Sequence, residues 1–114
     1  MAKHLDIGQQ GEDVATAYLQ SIGYNIVERN KRYSLGEIDI LACDGETLVI
    51  VEVKAGRTGK FGPAYLRVGP AKQHKLRRLA ARLVQDYPRA NIRIDVMNVD
   101  ENGKVHHIVN AVQG

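Results

Sequence analysis

Residues 36–54 have the sequence GEIDILACDGETLVIVEVK, in which two aliphatic and β-branched runs flank a Cys-Asp-Gly-Glu turn. An Asp-Gly pair between two such runs is a strong hairpin signal, so we predict strands over Glu37–Ala42 and Thr47–Val53. Charged residues within an aliphatic strand are costly unless they are paired, bind a metal or open onto solvent. Both strands contain such residues, which makes this hairpin the candidate for the functional site.

The charged residues of the hairpin suggest a metal-dependent reaction. Side chains alternate along a strand, so Glu52 and Lys54 point to one side of theirs. With Asp39 on the adjoining strand, two carboxylates favour a hard divalent cation, Mg²⁺ or Mn²⁺. Lys54 could then polarise water or stabilise charge on a phosphate oxygen during phosphodiester cleavage. The alternative is a solvated or salt-bridged strand edge, since a lone E-x-K is weak evidence without the aspartate thirteen residues upstream.

The remaining segments complete an α/β pattern with the order αβββαββ. A chain of 114 residues fits one domain, 1–114, with a mixed sheet covered by helices. Residue periodicity and the positions of Gly and Pro give the other predicted elements. These are a helix over Leu5–Ile22, a strand over Tyr24–Lys31, a glycine-rich loop over Ala55–Gly69, a helix from Pro70 that ends before Pro88, and strands over Asn91–Val99 and Lys104–Val112.

Composition excludes several classes of protein. A charged fraction of 25% and a hydrophobic fraction of 44% are ordinary for a globular domain and exclude disordered and fibrous chains. No segment resembles a signal peptide or a membrane-spanning helix. The single cysteine, Cys43, cannot form an internal disulfide and suits a reducing cytosol. We therefore expect a cytoplasmic protein with no membrane partner.

A basic block follows the hairpin. Nine Lys and Arg residues lie between Lys54 and Arg82, and no Asp or Glu interrupts them. Such a block attracts polyanions, although a solvated basic helix face explains the charge alone equally well. Lys72 could be a snorkelling side chain or, beside a positive helix end, a phosphate ligand. Because the block adjoins the acids, we assign nucleic-acid binding to Arg57, Lys60, Lys72, Gln73, Lys75 and Arg78.

Glu12 belongs to the same hypothesis. Helical spacing places it on the apolar stripe of the first helix rather than on its solvated face. It is either a buried partner for an arginine or for Lys54, or a further acid of the metal site, and we favour the second.

Two other polar pairs are not assigned to the site. Arg93 and Asp95 share a strand face and are assigned as an ion pair. His106 and His107 are adjacent in a strand, so they point to opposite faces and cannot chelate one metal together.

These residues resemble the uncharacterised bacterial YraN family along nearly the whole chain. The motifs that carry the resemblance are Gly11-Glu12, Arg29-Asn30, Gly36-Glu-Ile-Asp39, Val51-Glu-Val-Lys54, Phe61-Gly62, Lys72 and Arg93-Ile-Asp95. That family is similar to the Holliday-junction-resolvase branch of the PD-(D/E)xK nucleases. The resemblance implies a restriction-endonuclease-like αβββαβ core, here with an extra C-terminal strand.

The resemblance also implies roles for individual residues. Asp39 and Glu52 would bind Mg²⁺ or Mn²⁺, Lys54 would be the catalytic lysine, and Glu12 would be the helix acid. Lys72 would be the helix lysine. Members of the family usually have an arginine two residues after the catalytic lysine, where this chain has Gly56 and then Arg57.

Three functions compete at this point. The first is a metal-dependent endonuclease acting on DNA, including branched DNA. The second is a catalytically inactive nucleic-acid-binding module that keeps the fold. The third is an adaptor that docks on a protein through the basic helix. Restriction-like nucleases often form homodimers, and both the monomer and the homodimer stay open here.

Overall fold

The computed structural model describes residues 7–56 and 68–113. Its helices and strands have the predicted order αβββαββ. The elements are α1 Ile7–Ser21, β1 Asn25–Tyr33, β2 Gly36–Asp44, β3 Thr47–Ala55, α2 Pro70–Asp86, β4 Asn91–Val99 and β5 Val105–Ile108. They form a mixed α+β structure, so the predicted fold class is confirmed and the arrangement is consistent with a restriction-endonuclease-like core.

The five strands form one sheet in the order β1-β2-β3-β4-β5. β3 and β4 are parallel, and the other neighbours are antiparallel. A parallel pair needs a crossover connection, which α2 provides. The site residues predicted on β3 therefore lie near the carboxyl ends of two parallel strands, the edge at which α/β sheets often bind ligands.

Each helix covers one face of the sheet. Leu76, Leu79 and Leu83 of α2 pack in one cluster with alternate β3 residues such as Ile50. Leu19 of α1 packs in the other cluster with the intervening β3 residues. Both faces of β3 are thus buried, which explains why its first half is a continuous aliphatic run rather than an alternating one.

Close packing of α1 on β3 requires a glycine. A Cβ atom at Gly11 would lie 2.9 Å from the Cβ of Ala55, closer than real Cβ contacts come. The missing side chain lets the start of α1 approach the end of β3. The helix thereby brings its next residue, Glu12, to the acidic end of the sheet.

Several strand boundaries differ from the predictions. The first three strands each extend two residues further than predicted, β1 to Tyr33, β2 to Asp44 and β3 to Ala55. The last strand was predicted over Lys104–Val112, but β5 ends at Ile108. Asn110 has a left-handed φ of 56°, and its N–H donates to Asp95 Oδ1 at 2.9 Å. That turn takes the chain out of the hydrogen-bond ladder with β4, so the prediction of a longer strand is wrong.

No helix within the described ranges is long and apolar enough to cross a membrane.

Candidate acid and lysine site

The pairing of β2 with β3 stops where the acidic residues begin. The regular register of the two strands ends at Ile40 and Val51. Beyond that point β2 continues to pair with β1, and β3 continues to pair with β4. Asp39 and Glu52 are the next residues on the two strands, so they face each other where the strands separate. We call this region the fork.

Asp39 occupies the fork with its carboxylate. Its Oδ2 accepts a hydrogen bond of 2.9 Å from the N–H of Val53, so a side chain replaces the main-chain acceptor of a continued ladder. Burial is the largest cause that raises the pKa of Asp39, followed by the charge of Glu52, and Glu12 and Glu37 add to the effect. The pKa rises to about 7 although the Val53 bond lowers it. The fork therefore concentrates negative charge and favours binding of a proton or a cation.

A left-handed residue on the edge strand accompanies the fork. Ile38 and Ile40 are two residues apart but pack on opposite faces of the sheet, so the alternation of β2 breaks at Asp39. The residues of β1 that pair with Ile38 and Ile40 flank Asn30. Asn30 has a φ of 54°, a conformation that asparagine tolerates better than most residues. Asn30 and Asp39 thus mark the same irregularity on adjacent strands.

Replacing Asn30 with valine should destabilise the protein, since a β-branched residue is strained at positive φ. We expect a loss of about 1–2 kcal/mol in the free energy of unfolding relative to Asn30→Gly, which adopts this conformation freely. Urea unfolding of the two variants measures the difference. Equal stability of the two variants would show that the left-handed conformation is not needed at this position.

Glu52 forms an ion pair with the second helix. Lys72 Nζ lies 2.9 Å from Glu52 Oε2, and the side chains are 41% and 12% exposed, respectively. Pro70 is favoured in the first turn of a helix, where its fixed φ suits the start. Lys72 extends from that first turn over β3. Whether Lys72 is a snorkelling side chain or a phosphate ligand, its ammonium also contacts Glu52.

Glu12 lies at the fork with an arginine partner. Arg29 Nη2 is 3.6 Å from Glu12 Oε1 and 2.8 Å from Asp13 Oδ1. The charge of Glu12 also helps to raise the pKa of Asp39, so the glutamate is near both groups. An arginine was one of the expected partners of Glu12, but Arg29 itself was not assigned to the site. Its only signal in the sequence was its place in the Arg-Asn motif.

The residues assigned to nucleic-acid binding lie in different environments. Gln73 Nε2 donates to the carbonyl of Val68 at 2.7 Å, and its Oε1 accepts from Arg77 at 3.2 Å. Gln73 therefore stabilises the start of α2. Arg78 is exposed on the same helix. Arg57 and Lys60, with most of the predicted glycine-rich loop, lie outside the described residues.

Lys75 lies over the backbone at the beginning of β2. A Cβ atom at Gly36 would be 2.6 Å from Lys75 Cε and 3.2 Å from its Nζ. Gly36 also has a φ of 152°, which side chains rarely adopt. The glycine leaves a notch for the lysine, so the Lys75 ammonium is near the strand that leads to Asp39.

A two-carboxylate metal site would be compatible with these residues. Within residues 7–56 and 68–113, no three His, Cys, Asp or Glu side chains are grouped closely enough to hold a metal ion. Mg²⁺ usually retains several water ligands and needs only one or two carboxylates. The facing pair Asp39 and Glu52, with an elevated Asp39 pKa, matches that smaller donor set.

A cavity of about 690 Å³ lies between the start of α1 and the ends of β3 and β4. Gly11 and Val14 of α1 line it together with Ala55 and Val99 at the ends of the parallel strands. Neither Asp39 nor the other predicted catalytic residues contribute to its lining. The predicted chemistry thus belongs to the fork rather than to this cavity.

The predicted ion pair of Arg93 and Asp95 is confirmed. Arg93 Nε is 2.9 Å from Asp95 Oδ1, and Asp95 is fully buried. His107 Nε2 lies 2.8 Å from Asp95 Oδ2, and Arg93 Nη2 donates to the hydroxyl of Tyr24 at 2.6 Å. His107 also contacts the rings of Tyr18 and Tyr24 edge-on. We call these residues the Asp95 network. The sequence did not predict that His107 belongs to it.

Comparisons with known proteins identify the family. The model of the uncharacterised protein family UPF0102 matches residues 11–99. A UPF0102 protein of Thermodesulfovibrio yellowstonii is 42% identical over 111 residues, which are 94% of this chain and 96% of the relative. One from Syntrophus aciditrophicus is 44% identical over 101 residues, covering 87% and 80% of the two chains. One from Geobacter sulfurreducens is 39% identical over 113 residues, covering 94% and 88%.

The matched segment contains Glu12, Asp39, Glu52 and Lys54, and the relatives are matched over most of their own length. The resemblance to YraN proteins that the motifs indicated is confirmed, and the chain belongs to the UPF0102 family.

Proposed function

We propose that this protein is a metal-dependent endonuclease acting on DNA, branched DNA included, with its reaction centre in the fork. The observation that supports this most directly is the facing pair of Asp39 and Glu52, where burial and neighbouring carboxylates raise the pKa of Asp39 to about 7. A structural ion pair would lower the pKa of an aspartate, as Arg93 and His107 do for Asp95. The raised pKa of Asp39 instead marks a carboxylate whose ionised form a bound cation would stabilise.

Different residues would bind the metal ion, bind the phosphate and hold α1 in position. Asp39 and Glu52 would hold Mg²⁺ or Mn²⁺, with Asp39 kept in place by the N–H of Val53. Lys54 shares the α2 face of β3 with Glu52 and would bind a phosphate oxygen. Lys72, at the start of α2, would add a second positive charge beside the same acid. Glu12 and Arg29 would fix the position of α1 against the fork.

A divalent cation, when bound, supplies a Lewis acid that neutralises charge on the scissile phosphate and makes water more acidic. Lys75 and Arg78 extend the positive charge further along α2. That arrangement suits the phosphate backbone of a nucleic acid, whose binding is mainly electrostatic and independent of sequence.

A catalytically inactive binding module is the second candidate, and one contact favours it. The 2.9 Å pair with Lys72 already balances the charge of Glu52 without a cation. If that pair persists when nucleic acid binds, the acids serve to hold α2 in place. Binding would then need no metal, would survive removal of Glu52, and would weaken steeply as salt is raised.

Cleavage assays with a Glu52→Gln variant separate the two candidates. The wild type and the variant are incubated with duplex, single-stranded, flapped and four-way-junction DNA in Mg²⁺ or Mn²⁺. The nuclease hypothesis predicts that wild-type cleavage falls by roughly a hundredfold or more in the variant, because a metal ligand is lost. Glu46→Gln, the same substitution in the exposed hairpin turn, is the control and should cleave like the wild type.

Each other outcome has a distinct meaning. Metal-independent binding without cleavage, unchanged in Glu52→Gln, would replace the nuclease by the binding module. Failure to bind any of the DNA forms, or RNA, would reject both.

A further inference from the structure

A polar row crosses the sheet next to the fork. Lys54 of β3 pairs in register with Asn98 of β4, which pairs in turn with His106 of β5. Residues paired in this way point to the same face of a sheet. Ile50 and Val96, at alternate positions before Lys54 and Asn98, pack against α2. The row therefore lies on the α2 face, one step beyond Glu52.

Asn98 is the unusual member of this row. Its side chain is fully buried, yet neither its Nδ2 nor its Oδ1 has a hydrogen-bond partner in the part of the chain that the structure describes. A buried amide without partners loses its hydration and gains nothing in return. Such exceptions in native structures call for a specific explanation.

Packing does not explain an amide at this position. The other residues of β4 on this face, Ile92, Ile94 and Val96, are aliphatic and pack in the core cluster under α2. Leucine has nearly the same shape as asparagine and would avoid the loss of hydration. The amide thus points to an interaction that forms in another state of the site.

The neighbours in the row provide that interaction. The Lys54 ammonium has three N–H donors, and the carboxamide oxygen of Asn98 is a buried acceptor on the adjacent strand. On the other side, His106 Nε2 lies 3.4 Å from Asp100 Oδ2. If that nitrogen carries the proton, the second ring nitrogen of His106 is an acceptor for the Asn98 N–H₂ group. Asn98 is therefore paired in register with a residue of complementary chemistry on each neighbouring strand.

We propose that Asn98 is a positioning residue of the fork, whose carboxamide oxygen accepts a hydrogen bond from Lys54 when Lys54 binds the DNA phosphate. This inference rests on the proposed function. One N–H of the ammonium would contact the phosphate, and a second would be anchored by Asn98. The anchor restricts a flexible lysine to one direction, which raises the rate by orientation rather than by added affinity.

Two substitutions at this position test the proposal. Asn98→Leu removes both polar atoms, and Asn98→Asp keeps an oxygen acceptor in the same place. In Mg²⁺ we expect kcat to fall about 10- to 100-fold in Asn98→Leu, with KM changed by less than about threefold. Asn98→Asp should recover part of the lost kcat. Asn91→Leu, the same substitution at the exposed beginning of β4, is the matched control and should retain wild-type kcat.

Stability distinguishes this role from a structural one. The metal-free Asn98→Leu protein should unfold at the wild-type midpoint or above it, because an unsatisfied buried amide has been removed. A lower midpoint in Asn98→Leu, or wild-type kcat in that variant, would overturn the proposal.

A measurement that needs no cleavage separates this inference from the proposed nuclease activity. NMR of the Lys54 ammonium in the metal-free complex with four-way-junction DNA reports exchange of its protons with water. We expect slower exchange in the wild type than in Asn98→Leu. Equal exchange in the two proteins would refute the role of Asn98, whereas absence of cleavage with slower wild-type exchange would refute only the nuclease.

Discussion

Replacing Asp39 by asparagine is expected to reduce cleavage of DNA roughly a hundredfold or more and, without metal, to stabilise the fold at pH 8. Asparagine keeps the oxygen that accepts the Val53 N–H but carries no charge. It therefore cannot bind a divalent cation as a carboxylate does. The same change removes the negative charge that the buried fork disfavours.

The sign of the pH effect follows from the elevated pKa. Burial and the nearby carboxylates raise the pKa of Asp39 from 3.8 to about 7 in the folded protein. The protonated form is favoured by folding, so its contribution to stability is complete below pH 3.8 and is lost as the pH rises through about 7. At pH 8 the ionised wild type should be less stable than Asp39→Asn by up to about 4 kcal/mol, and the two should converge at low pH.

Urea unfolding at pH 5 and pH 8, with a chelator present, measures this difference. Asp86→Asn is a control of opposite sign, because hydrogen bonds from Tyr33 and Arg82 lower the pKa of Asp86. It should reduce stability at pH 8 rather than raise it. An Asp39→Asn protein no more stable than wild type at pH 8 would contradict the charge accumulation in the fork, and retained cleavage would remove Asp39 from the reaction.

Much of the fold could be predicted because its signals are local. The Asp-Gly pair between two aliphatic runs predicts the β2 and β3 hairpin, and Pro70 predicts the start of α2. The parallel pairing of β3 with β4 follows from the helix between them. These signals depend on residues close in sequence. The bounds of the predicted helices and strands agree with the observed ones to within a few residues.

The geometry of the fork could not be predicted from the same signals. Strand periodicity assumes regular alternation, whereas Ile38 and Ile40 pack on opposite faces because β2 leaves β3 at Asp39. The partners Lys72 and Arg29 come from elements that meet only in the folded chain. Spacing along the chain does not specify such contacts.

Two further residues had weaker signals. Asn98 was detectable as a polar residue in an aliphatic strand, but its missing partners are visible only in three dimensions. For His107 the sequence excludes only joint metal chelation with His106, and it gives no sign of the contact with the Asp95 carboxylate. The left-handed turn at Asn110, which shortens β5, depends on the same buried Asp95.

Disrupting the Asp95 network is expected to cause a large loss of stability. Asp95 accepts hydrogen bonds from Arg93 Nε at 2.9 Å, Arg93 Nη2 at 3.1 Å and the N–H of Asn110 at 2.9 Å, and His107 Nε2 lies 2.8 Å away. In Asp95→Asn, the new N–H₂ group would face other donors and Arg93 would lose its buried charge partner. Removing one member of a buried pair costs about 3–5 kcal/mol, so we expect a loss of that size in urea unfolding at pH 7.

The pH dependence of this loss identifies its origin. Burial alone would raise the pKa of Asp95, but hydrogen bonds from His107, Arg93 and the Asn110 N–H outweigh it and lower the pKa. The stabilisation is therefore present above the unfolded value of 3.8 and is lost as the pH falls through the lower folded pKa. The penalty of Asp95→Asn should accordingly shrink in strongly acidic solution, where wild-type Asp95 is also protonated.

An aspartate that contacts the same arginine from the surface provides the matched control. Asp44 Oδ2 lies 3.0 Å from Arg93 Nη1, but its side chain is 46% exposed. Asp44→Asn should therefore cost only about 0–1 kcal/mol. Because the network lies on the α1 face and Glu52 of the fork contacts Lys72 of α2, Asp95→Asn should keep wild-type cleavage at temperatures where it remains folded. Lost cleavage in a folded Asp95→Asn protein would instead show that the two faces of the sheet are coupled.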